Sequence, residues 1–276
     1  MGNIVWLASY PKSGNTWLRA FLANLVADAG APLPLGDLPQ YCEDEARPEL
    51  FTALAGRPST ELSFEEICAL RPRVHAGIAA RSPGTRLVKT HNCAGFVGTH
   101  PLHNASVTAG AIYVVRNPLD VAVSMMHHFA LDADAAIERL GDDRVATAND
   151  SLFVTQMLGS WSHHVASWAD LASARILVLR YEDLIADPVA QFSRAAGLLG
   201  LGGDRGRIER AVENASFATL ASLERSDGFA ETSDKAARFF REGRADQWRE
   251  VLTPAQAARL EARHRAQMVR FGYAVR

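Results

Sequence analysis

The chain has few cysteines and no strong excess of charge of either sign. Its three cysteines, Cys42, Cys68 and Cys93, show no CxxC spacing, so we expect neither a disulfide framework nor a cysteine-rich zinc site. Thiols that stay reduced are typical of cytoplasmic proteins, which predicts a cytoplasmic location. The formal net charge is −2, from 29 basic and 31 acidic residues. No overall field therefore favours nucleic acid or an acidic membrane as a partner.

Long apolar runs, internal repeats and low-complexity tracts are also missing. No run approaches the roughly 20 apolar residues that span a bilayer, so no integral membrane segment is expected. No basic region precedes the apolar residues 4–7, as it would in a signal peptide, and this start is therefore interpreted as a strand. The length of 276 residues suits one domain with a large core, which we expect to span residues 1–276.

Strand-like and helix-like segments alternate along the chain. The apolar patterns predict strands at residues 3–8, 86–90, 111–115 and 175–180. They predict helices at residues 14–28, 64–70, 118–129, 151–169, 189–199, 205–214 and 254–270. This alternation predicts an α/β fold in which helices flank a central, mainly parallel sheet. The stretches without a regular pattern, which we expect to form walls or lids of a ligand site, are residues 31–62, 130–150 and 225–247.

A short loop containing lysine and glycine follows the first predicted strand and opens the first predicted helix. Its sequence over residues 10–17 is YPKSGNTW. Backbone N–H groups and the helix dipole favour an anion at a helix N-terminus, and Lys12 adds a positive charge. The loop is therefore a candidate phosphate site. It differs from the nucleoside triphosphate loop, G-x-x-x-x-G-K-[ST], because Asn15 takes the position of the lysine, and this argues against Mg-ATP hydrolysis.

The predicted strand at residues 111–115 ends in a second candidate site. Arg116 follows it directly, at the carboxyl end of a strand, where open α/β sheets bind ligands. Asn117 and Pro118 suit the N-cap and the first position of a helix. Ser124 lies further along that helix.

Together with two further segments, these motifs resemble the cytosolic-type sulfotransferases that use 3′-phosphoadenosine 5′-phosphosulfate (PAPS). Residues 10–17 are similar to the 5′-phosphosulfate loop of that family, and residues 113–124 to its 3′-phosphate segment. Residues 86–91, RLVKTH, resemble the strand that carries the catalytic histidine of the family. Residues 180–188, RYEDLIADP, resemble another of its hallmarks. The four segments occur in the order of the family within residues 3–188.

The resemblance implies a site for PAPS and its product PAP, with no metal required. The implied contacts are Lys12 at the bridging oxygen and the sulfonate; Ser13, Gly14, Asn15 and Thr16 at the 5′-phosphate; Arg116 and Ser124 at the 3′-phosphate; and Trp17, Tyr181 and Phe217 around the adenine. The implied activity is sulfuryl transfer from PAPS to a small-molecule hydroxyl or amine.

The last cofactor segment of the family departs from its usual pattern, Arg-Lys-Gly followed by Gly-Asp-Trp. Arg241 and Gly243 fit it and are implied cofactor contacts, whereas Glu242 replaces the lysine and Asp246 replaces a glycine. A glutamate that faced the 3′-phosphate would repel it. We favour an outward orientation of Glu242, with Arg244 supplying the lost charge.

The resemblance also places the catalytic groups. Sulfuryl transfer depends on positioning and charge stabilisation, as phosphoryl transfer does. His91 suits the role of general base, because an imidazole pKa near about 6.5 matches that task. Residues two apart on a strand share a face, so Lys89 and His91 are expected to point into one cleft. Lys12 is assigned to the leaving group and Lys89 to a second electrostatic contact.

Two other functions remain alternatives: a P-loop-like nucleotide kinase or NTPase, and a non-catalytic nucleotide-binding module. A Mg²⁺ requirement with ATP turnover would favour the first, and the presence of His91 beside the Lys12 loop weighs against the second. The acceptor and the oligomeric state stay open. No metal site is predicted, because no set of Cys, Asp or Glu residues completes the histidine pairs at residues 100–103, 127–128 and 163–164.

Acidic residues are concentrated in residues 31–65 and 130–150. If part of this charge surrounds the entrance to the acceptor site, it repels polyanions. That reasoning predicts a neutral or cationic small acceptor. The alternative is that these residues form ordinary solvated faces.

Overall fold

A five-stranded parallel sheet forms the centre of the fold in the computed structural model, which describes residues 3–171 and 175–273. Its strands, numbered with all strands in chain order, are β1 (Ile4–Ser9), β2 (Cys42–Asp44), β3 (Arg86–Thr90), β6 (Thr108–Val115) and β7 (Ile176–Arg180). A separate antiparallel hairpin consists of β4 (Phe96–Val97) and β5 (His100–Pro101). The expected α/β class with a mainly parallel sheet is confirmed.

Helices cover both faces of this sheet. They are α1 (Asn15–Ala27), α2 (Leu38–Tyr41), α3 (Pro48–Ala55), α4 (Phe64–Ala80), α5 (Pro118–Phe129), α6 (Ala133–Gly141), α7 (Trp161–Ala169), α8 (Tyr181–Ala186), α9 (Pro188–Leu198), α10 (Arg205–Asn214), α11 (Phe217–Asp227), α12 (Trp248–Val251) and α13 (Pro254–Arg270). Among the described residues, no helix is both long and apolar enough to cross a membrane.

Alternate residues of β1 enter two different apolar cores, as the period of a strand requires. Trp6 belongs to the core that includes Trp161 of α7, whereas Leu7 belongs to the core that includes Phe192 of α9. All six residues of β1 are buried. A strand that is buried on both faces is typical of a parallel sheet covered by helices.

The strand order β2-β3-β1-β6-β7 creates a crevice beside β1. The chain leaves β1 toward one edge of the sheet and later returns to the other side of β1 as β6. The carboxyl ends of neighbouring strands diverge at such a reversal, and α/β proteins bind ligands there. The segments that follow β1, β3 and β6 carry Lys12, His91 and Arg116. The topology therefore brings the three to one edge.

Helix α4 continues ten residues beyond the predicted end of the 64–70 helix, through Pro72 to Ala80. A proline inside a helix costs about 3 kcal/mol because it removes one backbone donor and crowds the preceding turn. Burial of Val74 and Ile78 in the core offsets this cost. In addition, the Pro72 carbonyl accepts a hydrogen bond from Asn104 Nδ2 at 2.9 Å.

The predicted 151–169 helix is wrong over its first ten residues, because α7 starts at Trp161, where the Ser160 side chain accepts a hydrogen bond from the backbone of His163. Before it, the Val154 N–H donates to the Ala46 carbonyl and the Leu158 N–H donates to the Val145 carbonyl, both at 2.9 Å. These bonds hold residues 151–160, here named the 151–160 wall, along one side of the crevice. The structure also has elements for which no helix or strand was predicted, namely α2, β2, α3, β4, β5, α6, α8, α11 and α12.

Candidate active site

The loop between β1 and α1 is bent by two residues with positive φ. Lys12 has φ 68° and Gly14 has φ 106°. A Cβ atom at Gly14 would lie 2.8 Å from the Tyr181 ring, so only glycine allows this close approach. The Asn15 side chain is buried and donates a hydrogen bond to the Leu7 carbonyl at 2.8 Å. Asn15 therefore anchors the loop to β1.

The ammonium group of Lys12 lies against an aromatic ring rather than in water. Its Nζ atom is 3.9 Å from the centroid of the Phe239 ring. Burial lowers the pKa of Lys12 to about 7, although the charge of Glu231 opposes that shift. A buried cation of this kind favours an anionic ligand, because the anion would restore the stabilisation that water no longer supplies.

His91 is held in one orientation by two hydrogen bonds. Its Nδ1 lies 2.8 Å from the Ser9 carbonyl, and its backbone N–H donates to Gln156 Oε1 at 2.9 Å. A carbonyl can only accept, so Nδ1 carries the proton and Nε2 keeps a free lone pair. Burial, together with the charge of Lys89, lowers the pKa of His91 to about 4. The neutral imidazole is thus the form present near pH 7.

Lys89 lies between two carboxylates. Its Nζ is 2.9 Å from Asp44 Oδ2 and 3.7 Å from Glu231 Oε2. Lys89 and His91 line the same cavity, as their spacing on β3 predicted. The sequence did not single out Asp44, because the short strand β2 that ends with it falls in a stretch predicted to be irregular.

Arg116 is oriented by carbonyl groups and by an aromatic ring. It donates to the Lys12 carbonyl at 3.1 Å and to the Arg244 carbonyl at 3.3 Å, and its Cζ lies 4.3 Å from the centroid of the Tyr181 ring. Its buried Nε has no partner within the part of the chain that the structure describes. The direct partners of the guanidinium among the described residues are neutral, so Arg116 is suited to bind an anion.

Residues 228–247, here named the lid segment, cover the other side of the crevice. Within it, the Glu242 carboxylate pairs with both Arg241 and Arg244, at 2.7 Å from Arg244 Nε. The side chain of Glu242 is 31% exposed and lines the cavity. The expected outward orientation is therefore wrong, because the two neighbouring arginines hold the carboxylate between them.

The end of the lid segment is fastened to α5 through Asp120. The backbone N–H groups of Asp246 and Trp248 donate to the two Asp120 oxygens at 2.8 and 3.1 Å. Asp246 has φ 61°, in the left-handed region that favours glycine but that aspartate also enters. Its carboxylate accepts a bond from Trp248 Nε1 at 3.2 Å. The aspartate thus preserves a glycine-like turn and adds a contact.

Glu231 is a site residue that sequence reasoning missed. Its carboxylate lies 2.6 Å from Arg19 Nη1 and 3.5 Å from Thr16 Oγ1. Burial raises the pKa of Glu231, but Arg19 and Lys89 lower it more, so the group stays ionised. Arg19 was the available signal, because an arginine among apolar residues of α1, 2% exposed, requires a buried anionic partner.

A single cavity of about 620 Å³ brings most of the predicted residues together. The predicted residues among its lining are Lys12, Gly14, Asn15, Thr16, Trp17, Lys89, His91, Arg116, Ser124, Tyr181, Phe217, Arg241 and Gly243. Ser13 is absent from the lining, and its buried Oγ has no partner among the described residues. The apolar part of the lining includes Met125, Phe129, Leu131, Phe153 and Leu158.

The sulfotransferase domain model matches residues 3–272. The chain belongs to the sulfotransferase family. Among similar relatives, cytosolic sulfotransferase 16 of Arabidopsis thaliana is 28% identical, over 92% of this chain and 73% of the relative. Sulfotransferase 1A1 of Canis lupus familiaris is 24% identical, over 98% of this chain and 85% of the relative.

Two solved structures share the sulfotransferase fold of this chain. Mouse sulfotransferase SULT7A1 complexed with PAP gives a TM-score of 0.62 at 22% identity, over 96% of this chain and 84% of that one. Retinol dehydratase in a complex with retinol and PAP gives a TM-score of 0.65 at 20% identity, over 97% and 82%. At these identities the likeness establishes the fold.

A buried polar network supports the end of β3 and the residues that follow it in this sulfotransferase. The Glu45 carboxylate, fully buried, accepts hydrogen bonds from Arg71 at 2.5 Å, Thr90 at 2.7 Å and Asn92 at 2.5 Å. His75 Nε2 lies 2.9 Å from the same carboxylate. Burial raises the pKa of Glu45, but Arg71 and His75 lower it more, so it is ionised. Because Thr90 and Asn92 flank His91, the network fixes the backbone that carries the His91 imidazole.

Further bonds hold the segment that follows β3. The His91 carbonyl lies 3.0 Å from His164 Nε2, and the Asn92 carbonyl accepts from Trp168 Nε1 at 3.0 Å. The Cys93 N–H donates to the Met157 carbonyl at 2.8 Å. Residues 90–93, here named the His91 segment, are therefore bonded to the sheet, to α7 and to the 151–160 wall.

The acidic stretches of this sulfotransferase mostly face away from the cavity. Within residues 31–65 and 130–150, Asp150 is the one acidic residue that lines it. Glu43 pairs with Arg81 and Arg86, and Glu49, Asp134, Glu138 and Asp142 also pair with arginines outside the cavity, whereas Asp44 pairs with Lys89 of the lining. An acidic wall around an acceptor is thus not what the structure shows. Among the described residues, no cluster of three or more His, Cys, Asp or Glu side chains could hold a metal ion.

Proposed function

We propose that this chain, as one domain over residues 1–276, transfers the sulfuryl group of PAPS directly to a hydroxyl or amine of a small-molecule acceptor. One observation carries the proposal: the Lys12 loop, the free Nε2 of His91 and a set of apolar side chains share one cavity. PAPS would supply the sulfuryl group and leave as PAP. The cytosolic names of the relatives and the free cysteines support a cytoplasmic setting.

The residues at the cavity fit a nucleotide that carries two phosphate groups. Buried donor atoms without protein partners among the described residues are Ser13 Oγ, Trp17 Nε1 and Arg116 Nε. Gly14 and Gly243 leave no room for a Cβ beside the rings of Tyr181 and Phe217, so these rings lie close to the backbone and can flank a base. Lys12 and Thr16 would hold the 5′-phosphosulfate, whereas Arg116, Ser124 and Arg241 would hold the 3′-phosphate.

The protein groups then divide the chemistry between them. His91 Nε2 accepts the proton of the acceptor hydroxyl, since Nδ1 is committed to the Ser9 carbonyl. Lys12 neutralises the charge that grows on the leaving oxygen, and Lys89, held by Asp44, adds a second positive charge. These fixed charges need little reorganisation during transfer, which is the main source of electrostatic catalysis.

The two alternative functions are less well supported by this geometry. A kinase or NTPase loop places a lysine where Asn15 lies, and the Asn15 amide is turned toward the Leu7 carbonyl. A non-catalytic binding module has no need of an imidazole with a fixed tautomer, such as that of His91, in the same cavity as the ammonium group of Lys12. Assays with radiolabelled PAPS and an acceptor library, run beside ATP with Mg²⁺, separate the three functions by which donor is consumed.

We expect PAP to stabilise the folded protein much more than adenosine 5′-phosphosulfate does. A ligand that binds only the native state stabilises it by RT ln(1 + [L]/Kd), about 2.7 kcal/mol at a hundredfold excess over Kd. Adenosine phosphosulfate has no 3′-phosphate, so it leaves Arg116 and Arg241 without an anion. Thermal denaturation with each ligand measures the difference. Equal stabilisation by both would contradict the 3′-phosphate site.

Removing the charge of Glu242 is expected to tighten PAP binding. Glu242 pairs with Arg241 and so competes with the 3′-phosphate for that guanidinium. A partly exposed pair is worth about 1 kcal/mol or less, which limits the gain from Glu242→Gln to about fivefold. Calorimetric titration with PAP measures it. Glu250→Gln removes a second partner of Arg244 without touching Arg241, and is the matched control. Weaker binding by Glu242→Gln would show that Glu242 instead orders the lid segment.

A further inference from the structure

Arg139 is a cation of the cavity that no protein group neutralises. It lies on α6 and lines the cavity together with His91. Its Nε is buried and has no hydrogen-bond partner, and no ion pair to it is found within residues 3–171 and 175–273. A guanidinium that is partly removed from water without a counter-charge is unfavourable. A bound anion would compensate it.

Two acidic residues close to Arg139 along the chain, Glu138 and Asp142, pair with other arginines, and Asp143 forms no ion pair with Arg139 within the described residues. Glu138 pairs with Arg259 at 2.6 Å and with Arg263 at 2.8 Å. Asp142 pairs with Arg144 at 3.0 Å. Asp150, which also lines the cavity, accepts bonds from the backbone of residues 152 and 153 at 2.8 and 2.9 Å. The charge of Arg139 is therefore left for a ligand.

Other cations of the cavity have assigned partners or roles, apart from Lys235, which is exposed to water at the edge of the lining. Lys89 is paired with Asp44, and Arg241 with Glu242. Lys12 and Arg116 belong to the two phosphate sites proposed above. Arg139 differs because its surroundings are apolar: its Cζ lies 5.9 Å from the centroid of the Phe129 ring, and Leu131 and Leu158 line the same cavity. An apolar body that carries one anionic group suits these surroundings.

We propose that Arg139 binds a carboxylate of the acceptor, so that the acceptors are small hydroxy acids with an apolar or aromatic body. The planar guanidinium can bind both oxygens of a carboxylate, while the acceptor hydroxyl points to His91. This assignment rests on the proposed sulfuryl transfer. It replaces the neutral or cationic acceptor expected from the sequence, which assumed acidic residues around the cavity.

Three phenols that differ in one group test this assignment: 3-(4-hydroxyphenyl)propanoate, its methyl ester, and tyramine. We expect kcat/KM to be highest for the acid, about tenfold or more above the ester, because a hydrogen-bonded charge pair contributes about 1.5–3 kcal/mol. Arg139→Gln should remove this preference by raising KM for the acid. It should leave kcat/KM for the ester unchanged. Arg139→Glu should favour tyramine. Arg144→Gln, which alters an exposed arginine paired with Asp142, is the matched control.

Calorimetric binding of the same acid and ester, with and without PAP, separates this inference from the proposed function. Binding of the acid that depends on Arg139, without any sulfuryl transfer, supports the carboxylate site and overturns the proposed function. Equal binding and turnover of acid and ester overturn the carboxylate site and leave the proposed function intact. If Arg139→Gln lowers binding and kcat/KM equally for the acid and the ester, the assignment is also overturned, since Arg139 then has a general packing role.

Discussion

Replacing His91 by alanine is expected to lower kcat by about 100-fold or more, the usual contribution of a positioned general base. The affinity for PAP should stay within about twofold, since the base acts on the acceptor. The physical reason is the fixed tautomer: the Ser9 carbonyl holds Nδ1–H, and Nε2 is the free acceptor atom. Turnover at saturating PAPS and calorimetric titration with PAP measure the two quantities.

His128 provides the matched control for this experiment. It lines the same cavity, and burial lowers its pKa to about 4, as it does for His91. Its ring packs edge-on against Phe239, with centroids 5.8 Å apart. We expect His128→Ala to keep most of the turnover. A large loss in His128→Ala together with near-normal turnover in His91→Ala would assign the base to His128. Lys12→Ala, in contrast, should impair both turnover and PAP binding.

The same residues define the expected pH dependence of kcat/KM for PAPS. His91 must be neutral to act as a base, so activity should fall as the pH drops through its lowered pKa of about 4. Lys12 must be charged to bind the donor, so activity should also fall as the pH rises through its pKa of about 7. A bound anion favours the charged form of both groups and raises both pKa values. The profile of kcat should therefore lie at higher pH than that of kcat/KM.

Replacing Arg71 by methionine is expected to destabilise the fold by about 3–5 kcal/mol, the usual cost of leaving a buried charge unpaired. Arg71 and Glu45 are both fully buried, and Arg71 also donates to the Thr155 carbonyl. Methionine has a similar length and keeps most of the packing, so the loss reports the charge rather than a cavity. Chemical denaturation measures the free energy of unfolding.

Arg73 supplies a control on the same helix. It is exposed, and Arg73→Met should change the free energy of unfolding by less than about 0.5 kcal/mol. The double variant Glu45→Gln with Arg71→Met should be more stable than Arg71→Met alone, because it removes the orphaned charge. If Arg71→Met proved as stable as the unmodified chain, Glu45 would have to be neutral in the fold. The low pKa expected for Glu45 would then be wrong.

Much of the candidate site could be predicted because its residues lie at strand ends. Lys12, His91 and Arg116 follow β1, β3 and β6, and each is preceded by an apolar run that shows in the sequence. A parallel sheet brings such positions to one edge regardless of the distance between them along the chain. The helices with strong N-terminal signals, such as the one that starts after Thr253, were predicted with the observed bounds.

The remaining parts depend on contacts between distant residues that have no local signature. Glu231 follows no motif, and its role depends on Arg19, 212 positions away. Residues 151–160 have a helix-like composition, but backbone bonds to Ala46 and Val145 hold them in another conformation. The helix predicted at residues 64–70 was too short, because burial of Val74 and Ile78 outweighs the local cost of Pro72 inside α4. In each case long-range packing decided against the local preference.

The two halves of the site differ in how easily they open. The His91 segment is bonded to the sheet, to α7 and to the 151–160 wall. The lid segment is held by the pair of Glu231 with Arg19, by the bonds to Asp120, by backbone bonds of Phe239 and Phe240 to Glu224, and by ion pairs of Arg244, which is 44% exposed. Regions with few buried contacts open by local fluctuation, at a fraction of the global unfolding free energy. We therefore expect the lid segment to open for the exchange of a bound nucleotide while His91 stays in place.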